Sequence, residues 1–237
     1  MQTLAIANQK GGVGKSTLAV HLAWLALEQG RPVLLVDLDG QANSSRTFAE
    51  TFTGLLASKL FTAEPGTLTE VPQAVSKHLT LIPADVAIND VEGLDLATIE
   101  RPAAHLRGLA VAPGTLCIID TPPTLGRRLL AALIAADAVV SPLALNGYSI
   151  QGITDLQKTI QMVRARFNPR LKNLGLLANM VNSRSTTHGQ MLTELRAALG
   201  DKLLPFTLRH RVAISDAIDG GRPVRHRIRG ERSATGR

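Results

Sequence analysis

A chain of 237 residues, 45% hydrophobic and 19% charged, can bury a full core and is not a disordered polymer. Its single cysteine, Cys117, excludes an internal disulfide, a thiolate metal site and an iron–sulfur cage, and fits a reducing, cytosolic compartment. The formal charge of +7 is uneven: from Pro205 onward eight arginines face three acids, a net +5, which leaves +2 for residues 1–204.

Thr3–Ala7 is a short apolar run and reads as a buried strand. Gly11, Gly12 and Gly14 break it into a loop. Ser16–Gln29 follows as a helix, with Leu18, His21, Leu22 and Leu25 at helical spacing and Gly30 as its stop. Pro32–Leu38 is a second buried strand, which completes a βαβ unit. Residues 42–78 are the least regular stretch and are expected to hold short helices and loops. Further strands are predicted at Leu79–Pro83, Thr115–Asp120, Ala138–Leu143, Leu174–Val181 and Leu203–Phe206. Helices are predicted near Ala97–Arg107, Thr124–Ala135, Ile150–Phe167 and Thr187–Leu199. Apolar strands alternating with helices predict an α/β fold of three layers, a mainly parallel central sheet flanked by helices. The expected organisation is one domain over 1–221 and a basic, flexible tail over 222–237. No apolar run reaches the ~18 residues needed to span a bilayer, and no secretory leader is seen at Met1.

The loop reads Lys10-Gly11-Gly12-Val13-Gly14-Lys15-Ser16-Thr17. Glycines let backbone N–H groups approach phosphate oxygens with no Cβ in the way. The helix that follows presents unsatisfied N–H groups and a positive dipole end to the same anion. Lys15 is placed for the β- and γ-phosphates, Ser16 Oγ for Mg²⁺, and Thr17 for the α-phosphate. The common motif has a glycine at the position held here by Gln9, with Lys10 next, so this is the two-lysine variant.

Strand period puts Asp37 and Asp39 on one face at the carboxyl end of their strand, where α/β sheets bind ligands. Asp120 ends another apolar strand ahead of Thr121-Pro122-Pro123, as a Mg²⁺-holding carboxylate does. A strand-end aspartate also serves as a plain helix cap or turn former.

The loop resembles the deviant Walker A family, which includes ParA-type partition ATPases, MinD-type ATPases and nitrogenase iron protein. The resemblance implies a P-loop NTPase fold, with ATP and Mg²⁺ as cofactors. It makes Lys10 the signature lysine, which reaches the phosphates of a partner subunit in an ATP-sandwich homodimer; the plain alternative is a solvated lysine beside the site. Val36–Asn43 is similar to the partition switch sequence, with Gly40 where proline is usual and Ala42 where glycine is usual. It assigns Asp39 to orienting the attacking water and Asp37 to the neighbourhood of the metal. Ile118–Pro123, Pro142–Gly152 (with Asn146 in place of an acid) and Pro205–Val224 are also similar to ParA. Asn179 and Pro205 match adenine-contacting positions, although an Asn at a strand end is equally a turn residue.

The single cysteine excludes the nitrogenase iron protein. Val224–Arg237 has only Val224, Ile228 and Ala234 as apolar residues, so a membrane-binding amphipathic helix is not expected. DNA is the better polyanion, with Arg209, Arg211, Arg222, Arg225, Arg227 and Arg229 as candidate phosphate contacts; the plain alternative is a solvated tail. With 3% aromatic residues, base stacking is a poor reading. The loop starts at residue 10, so no helix-turn-helix domain is expected ahead of it. The expected function is ATP-driven partition of plasmid or chromosomal DNA, in the cytoplasm on the nucleoid, with a centromere-binding or cargo adaptor stimulating hydrolysis. Three alternatives stay open: an ATPase positioning a protein cargo, a nucleotide-dependent binding switch with negligible hydrolysis, and a kinase or ligase using the same loop.

Overall fold

The computed structural model describes residues 1–145 and 150–224. One sheet holds all the strands among the described residues: β1 (Gln2–Ile6), β2 (Val33–Asp37), β3 (Gln73–Ala74), β4 (Leu79–Ile82), β5 (Leu116–Asp120), β6 (Ala138–Ala144), β7 (Lys172–Val181) and β8 (Leu203–Arg209). Their order is β3-β4-β2-β5-β1-β6-β7-β8. Every pairing is parallel except that of the two-residue edge strand β3 with β4. The expected parallel three-layer architecture is the one observed. β3 was not predicted, because two residues carry no alternation to read.

The middle of the sheet is buried on both sides because its strands carry successive apolar residues, as in Val33–Val36 of β2, all four of them buried. In β2, Leu34 and Val36 face one cluster while Val33 and Leu35 face the other. The first cluster packs under α3 (Lys59–Thr62), α4 (Arg101–Gly108), α5 (Arg127–Ala135) and α6 (Ile150–Arg166). The second packs under α1 (Lys15–Glu28), through Leu18, Ala19, Ala23 and Ala26. A third joins β6, β7 and β8 to α6 and α7 (Thr186–Leu199).

Helix α1 differs from its sequence reading in one respect. Leu25 is 49% exposed, whereas Val20 and Trp24 are buried. The reason is α8 (Val212–Asp219), whose Ala217 packs on Val20 and Trp24, so α1 is covered on two sides rather than one. Phe48, at the end of α2 (Asn43–Phe48), meets the Trp24 ring edge-on at 5.7 Å. Val224 packs against the same group, so the chain keeps contact with the domain for three residues past the expected boundary at 221.

Helix α5 begins at Arg127 rather than Thr124. Its cap comes from elsewhere in the chain: the Glu92 carboxylate accepts from the N–H of Arg127 at 2.6 Å. Glu92 lies on a 3₁₀ segment, Val86–Gly93, with a second at Leu96–Glu100. The second of these turns and α4 together stand where one helix near Ala97–Arg107 was expected. Pro102, at the start of α4, is compatible with a helix only in its first turn, which sets that boundary.

Candidate functional site

The loops after β1, β2 and β5 meet the end of β7 at the carboxyl edge of the sheet around a cleft of about 630 Å³. Gly11, Gly12, Gly14, Lys15, Ser16 and Thr17 form one wall, and Asp39, Gln41, Asn43 and Pro123 another. Val20, Met180, Ile218 and Asp219 close the end beneath α8. A cleft this size suits a nucleotide.

The phosphate loop is built from both flanks. Asn8 donates through Nδ2 to the Pro142 carbonyl at 2.7 Å, and its Oδ1 accepts from the Lys10 N–H at 2.9 Å. Gly12 (φ 71°) and Gly14 (φ 85°) take left-handed backbone that suits glycine. The Val13 side chain is buried, so only its backbone faces the loop. Gly14 begins α1 with no side-chain cap and no acid in the first turn, which leaves that end of the helix fit for an anion. Lys10 is exposed at the rim. Lys15 is buried, and its Nζ donates to the Lys10 carbonyl at 3.1 Å. Burial lowers its pKa, while the charges of Asp120 and Asp39 pull it back up. The ammonium thus sits in the field of Asp120 and Asp39, while its hydrogen bond goes to the Lys10 carbonyl.

The three aspartates have different surroundings. Asp37 is fully buried, and both its oxygens are occupied: Oδ2 accepts from Ser45 N–H at 2.9 Å and Ser45 Oγ at 2.7 Å, and Oδ1 from Asp39 N–H at 3.0 Å. It ties the start of α2 to the end of β2. Burial raises its pKa, and the Ser45 hydrogen bonds oppose the rise. Asp39 lines the cleft, with its Oδ1 accepting from Gln41 N–H at 3.1 Å. Asp120 is also fully buried, but among the described residues neither of its oxygens has a hydrogen-bond partner within ordinary geometry. Burial, and then the neighbouring Asp37, push its carboxyl up to about 8, against the pull of Ser16, Ser44 and Lys15. Thr121 Oγ1 anchors the following turn to the Ile6 carbonyl at 2.7 Å.

An orphaned buried carboxylate is costly unless a cation completes it. Asp120 with the Ser16 hydroxyl fits Mg²⁺, which takes one or two protein ligands and fills its octahedron with water and phosphate oxygens. Of the two carboxylates that the sequence places near the metal, Asp120 is thus the one with open oxygens. Among the described residues no cluster of three or more His, Cys, Asp or Glu could hold a metal by itself.

Asn179 supports the loop itself: its Nδ2 donates to the Val13 carbonyl at 2.9 Å, and its Oδ1 accepts from Met180 N–H. Pro205 lies on the edge strand β8, away from the cleft lining, and its carbonyl accepts from Arg196 at 2.9 Å. Met180 and Ile218 are the apolar groups that the cleft does present. Arg209, Arg211 and Arg222 are exposed around the end of β8 and α8. Arg225, Arg227, Arg229 and Asn146 lie outside the described residues. Asn8, Arg128, Glu92 and Asn89 were not singled out from the sequence; each acts through a partner remote along the chain.

No helix among the described residues is long and apolar enough to cross a membrane. A family model described as an AAA domain matches residues 1–173. Over 230 residues the chain is 43% identical to Protein IncC of Escherichia coli, a match covering 94% of this chain and 63% of that protein. It is 35% identical over 236 residues to the chromosome partitioning protein ParA of Caulobacter vibrioides, covering 94% of this chain and 86% of the relative. Among solved structures, cobyrinic acid a,c-diamide synthase from Mycobacterium smegmatis with bound ADP and magnesium is similar, with a TM-score of 0.76 and 28% identity over 92% of this chain and 93% of that one. The chain spans about 63% of the length of its IncC relatives, yet the match runs along nearly all of its own sequence. By the loop it carries, the sheet that presents it and these relatives, the chain belongs to the ParA-type family of P-loop partition ATPases.

Proposed function

We propose that this chain is an ATPase that partitions plasmid or chromosomal DNA, working as an ATP-bound pair of subunits. The observation that carries the reading is the grouping of Lys15, Ser16 and Asp39 along one cleft, with the buried Asp120 carboxyl next to Ser16 and Lys15 and with Lys10 exposed beside the loop. Lys15 and the N–H groups of the loop would bind the β- and γ-phosphates of ATP. Mg²⁺, when bound, neutralises charge on those phosphates, and Ser16 and Asp120 would hold it. Asp39 would orient the attacking water. Lys10 would extend to the phosphates of the second subunit, so that hydrolysis depends on pairing. Asn179, Met180 and Ile218 would flank or support the base side of the cleft, while the distance of Pro205 from the lining makes it the weaker adenine candidate.

Arg209, Arg211 and Arg222 form the exposed part of a proposed DNA-binding face, which Arg225, Arg227 and Arg229 would extend. Contacts of this kind are to phosphates and indifferent to sequence. An adaptor bound to the cargo would stimulate turnover, and the working location would be cytoplasmic and on the nucleoid. Higher identity to partition proteins than to the diamide synthase favours DNA cargo over ligase chemistry.

The test is equilibrium ATP binding, turnover and DNA retention in two variants. Lys15→Ala is expected to abolish ATP binding; unchanged affinity would remove the central claim. Asp39→Ala is expected to hold ATP and DNA without turnover, and a normal hydrolysis rate would take the water-orienting role from it.

A further inference from the structure

The peptide in front of Asp39 is held from two sides. The Leu38 N–H donates to the Asp120 carbonyl at 2.9 Å. The Leu38 carbonyl accepts from Arg128 Nη1 at 3.2 Å. Arg128 is only 7% exposed, and a guanidinium that deeply buried must be matched by acceptors. Its Nε donates to Glu92 Oε1 at 2.9 Å, and Nη1 also reaches Asn89 Oδ1 at 3.3 Å. Glu92 in turn caps the first turn of α5, the helix that carries Arg128. Burial alone would raise the Glu92 carboxyl, but the hydrogen bonds from Arg128 and from the Arg127 and Arg128 N–H groups bring it below its ordinary value.

Two glycines let this group close up. A Cβ on Gly40 would run into the Asn89 carboxamide, and one on Gly126 would run into the Glu92 carboxylate. The 86–93 segment therefore rests directly on the backbone next to Asp39 and on the turn that opens α5. Arg128 does not line the cleft, and its Nε and Nη1 are taken by protein acceptors, so it is not a phosphate ligand.

We propose that Arg128 is a positioning residue for Asp39: bridged to Glu92 and Asn89, it fixes the Leu38–Gly40 backbone so that the Asp39 carboxylate faces the water that attacks ATP. The proposal rests on the hydrolysis reading given above. A planar fork suits the task because one side chain must reach a carbonyl, a carboxamide and a carboxylate at once, which an ammonium cannot do with the same geometry.

The experiment compares the parent chain with Arg128→Lys, Arg128→Met and the double variant Arg128→Met/Glu92→Gln. It follows kcat and KM for ATP, equilibrium ATP·Mg²⁺ affinity and amide hydrogen exchange over residues 36–43. The double variant removes both charges, so a folding loss from stranding Glu92 is separated from a loss of positioning. Asn89→Ala carries the same readouts at an exposed position, so a misfolded Arg128 variant does not end the test. In Arg128→Met and the double variant kcat is expected to fall by roughly tenfold to a hundredfold, with KM and ATP affinity held within about twofold. Exchange at residues 38–40 is expected to speed up, and Arg128→Lys to recover part of kcat. An unchanged kcat in a folded double variant would overturn the proposal, as would equal losses of kcat and ATP affinity. A parent chain that binds ATP without turning it over would sink the hydrolysis reading instead. The exchange data then judge the clamp alone, and exchange indifferent to Arg128→Met would overturn it.

Discussion

Among the described residues no donor stands within ordinary hydrogen-bond geometry of the buried Asp120 carboxyl, although the Ser16 and Ser44 hydroxyls lie near enough to oppose the rise of its pKa. Its ordinary pKa of 3.8 rises to about 8 in the folded chain, chiefly through burial and then through Asp37. Between those values the folded state keeps a proton that the unfolded state has released, so stability falls as pH rises through that window. Asp120→Asn is expected to flatten this slope in urea melts of the nucleotide-free chain and to sharply weaken Mg²⁺-dependent nucleotide binding. An unaltered pH slope would show that the carboxyl is paired after all. The sequence made Asp37, Asp39 and Asp120 visible because strand period and strand ends are local signals. It could not divide their work, since that depends on the Ser45 N–H and hydroxyl, which occupy Asp37 and leave Asp120 open.

At the scale of elements, the loop and α1 were legible because their glycines, lysines and apolar spacing lie within twenty residues of one another. The second face of α1 was not, because its cover, α8, comes from the far end of the chain. The start of α5 was misplaced for the same kind of reason: its cap arrives from Glu92, 35 residues away. The contact between the loop and β7 is equally remote and gives a sharp prediction. A Cβ on Gly14 would stand 2.5 Å from Asn179 Nδ2, on backbone at φ 85°. Gly14→Ala must therefore strain the turn by about 1–2 kcal/mol and displace the amide that holds the Val13 carbonyl. Lower ATP affinity is expected, with a modest fall in melting temperature, measured by calorimetry on the same preparation. Wild-type affinity in this variant would show that the loop does not depend on Asn179.

Across the whole molecule, parallel strands with covered faces put Cys117 at the centre of the sheet, fully buried. Burial pushes its thiol up to about 12, so the folded chain offers an alkylating reagent neither access nor thiolate. Labelling of Cys117 at mildly alkaline pH is expected to follow global opening, and to slow further with ATP and Mg²⁺, as ligands of the native state require. Labelling as fast as in the denatured chain would mean that β5 opens locally. A mainly parallel, covered sheet was implied by the apolar strands, but the strand order and the short antiparallel margin at β3 depend on pairing that no run of residues announces.

Gly40 stands where the family's switch sequence has proline, which invites the view that this loop is loosened. The structure gives the residue another meaning. Gly40 and Gly126 are sockets, each filled by the tip of a side chain from the 86–93 segment. What a lineage can place at 40 is therefore conditioned by what it keeps at 89, and the choice at 126 by that at 92. Substitutions at these sites should be accepted in couples rather than singly.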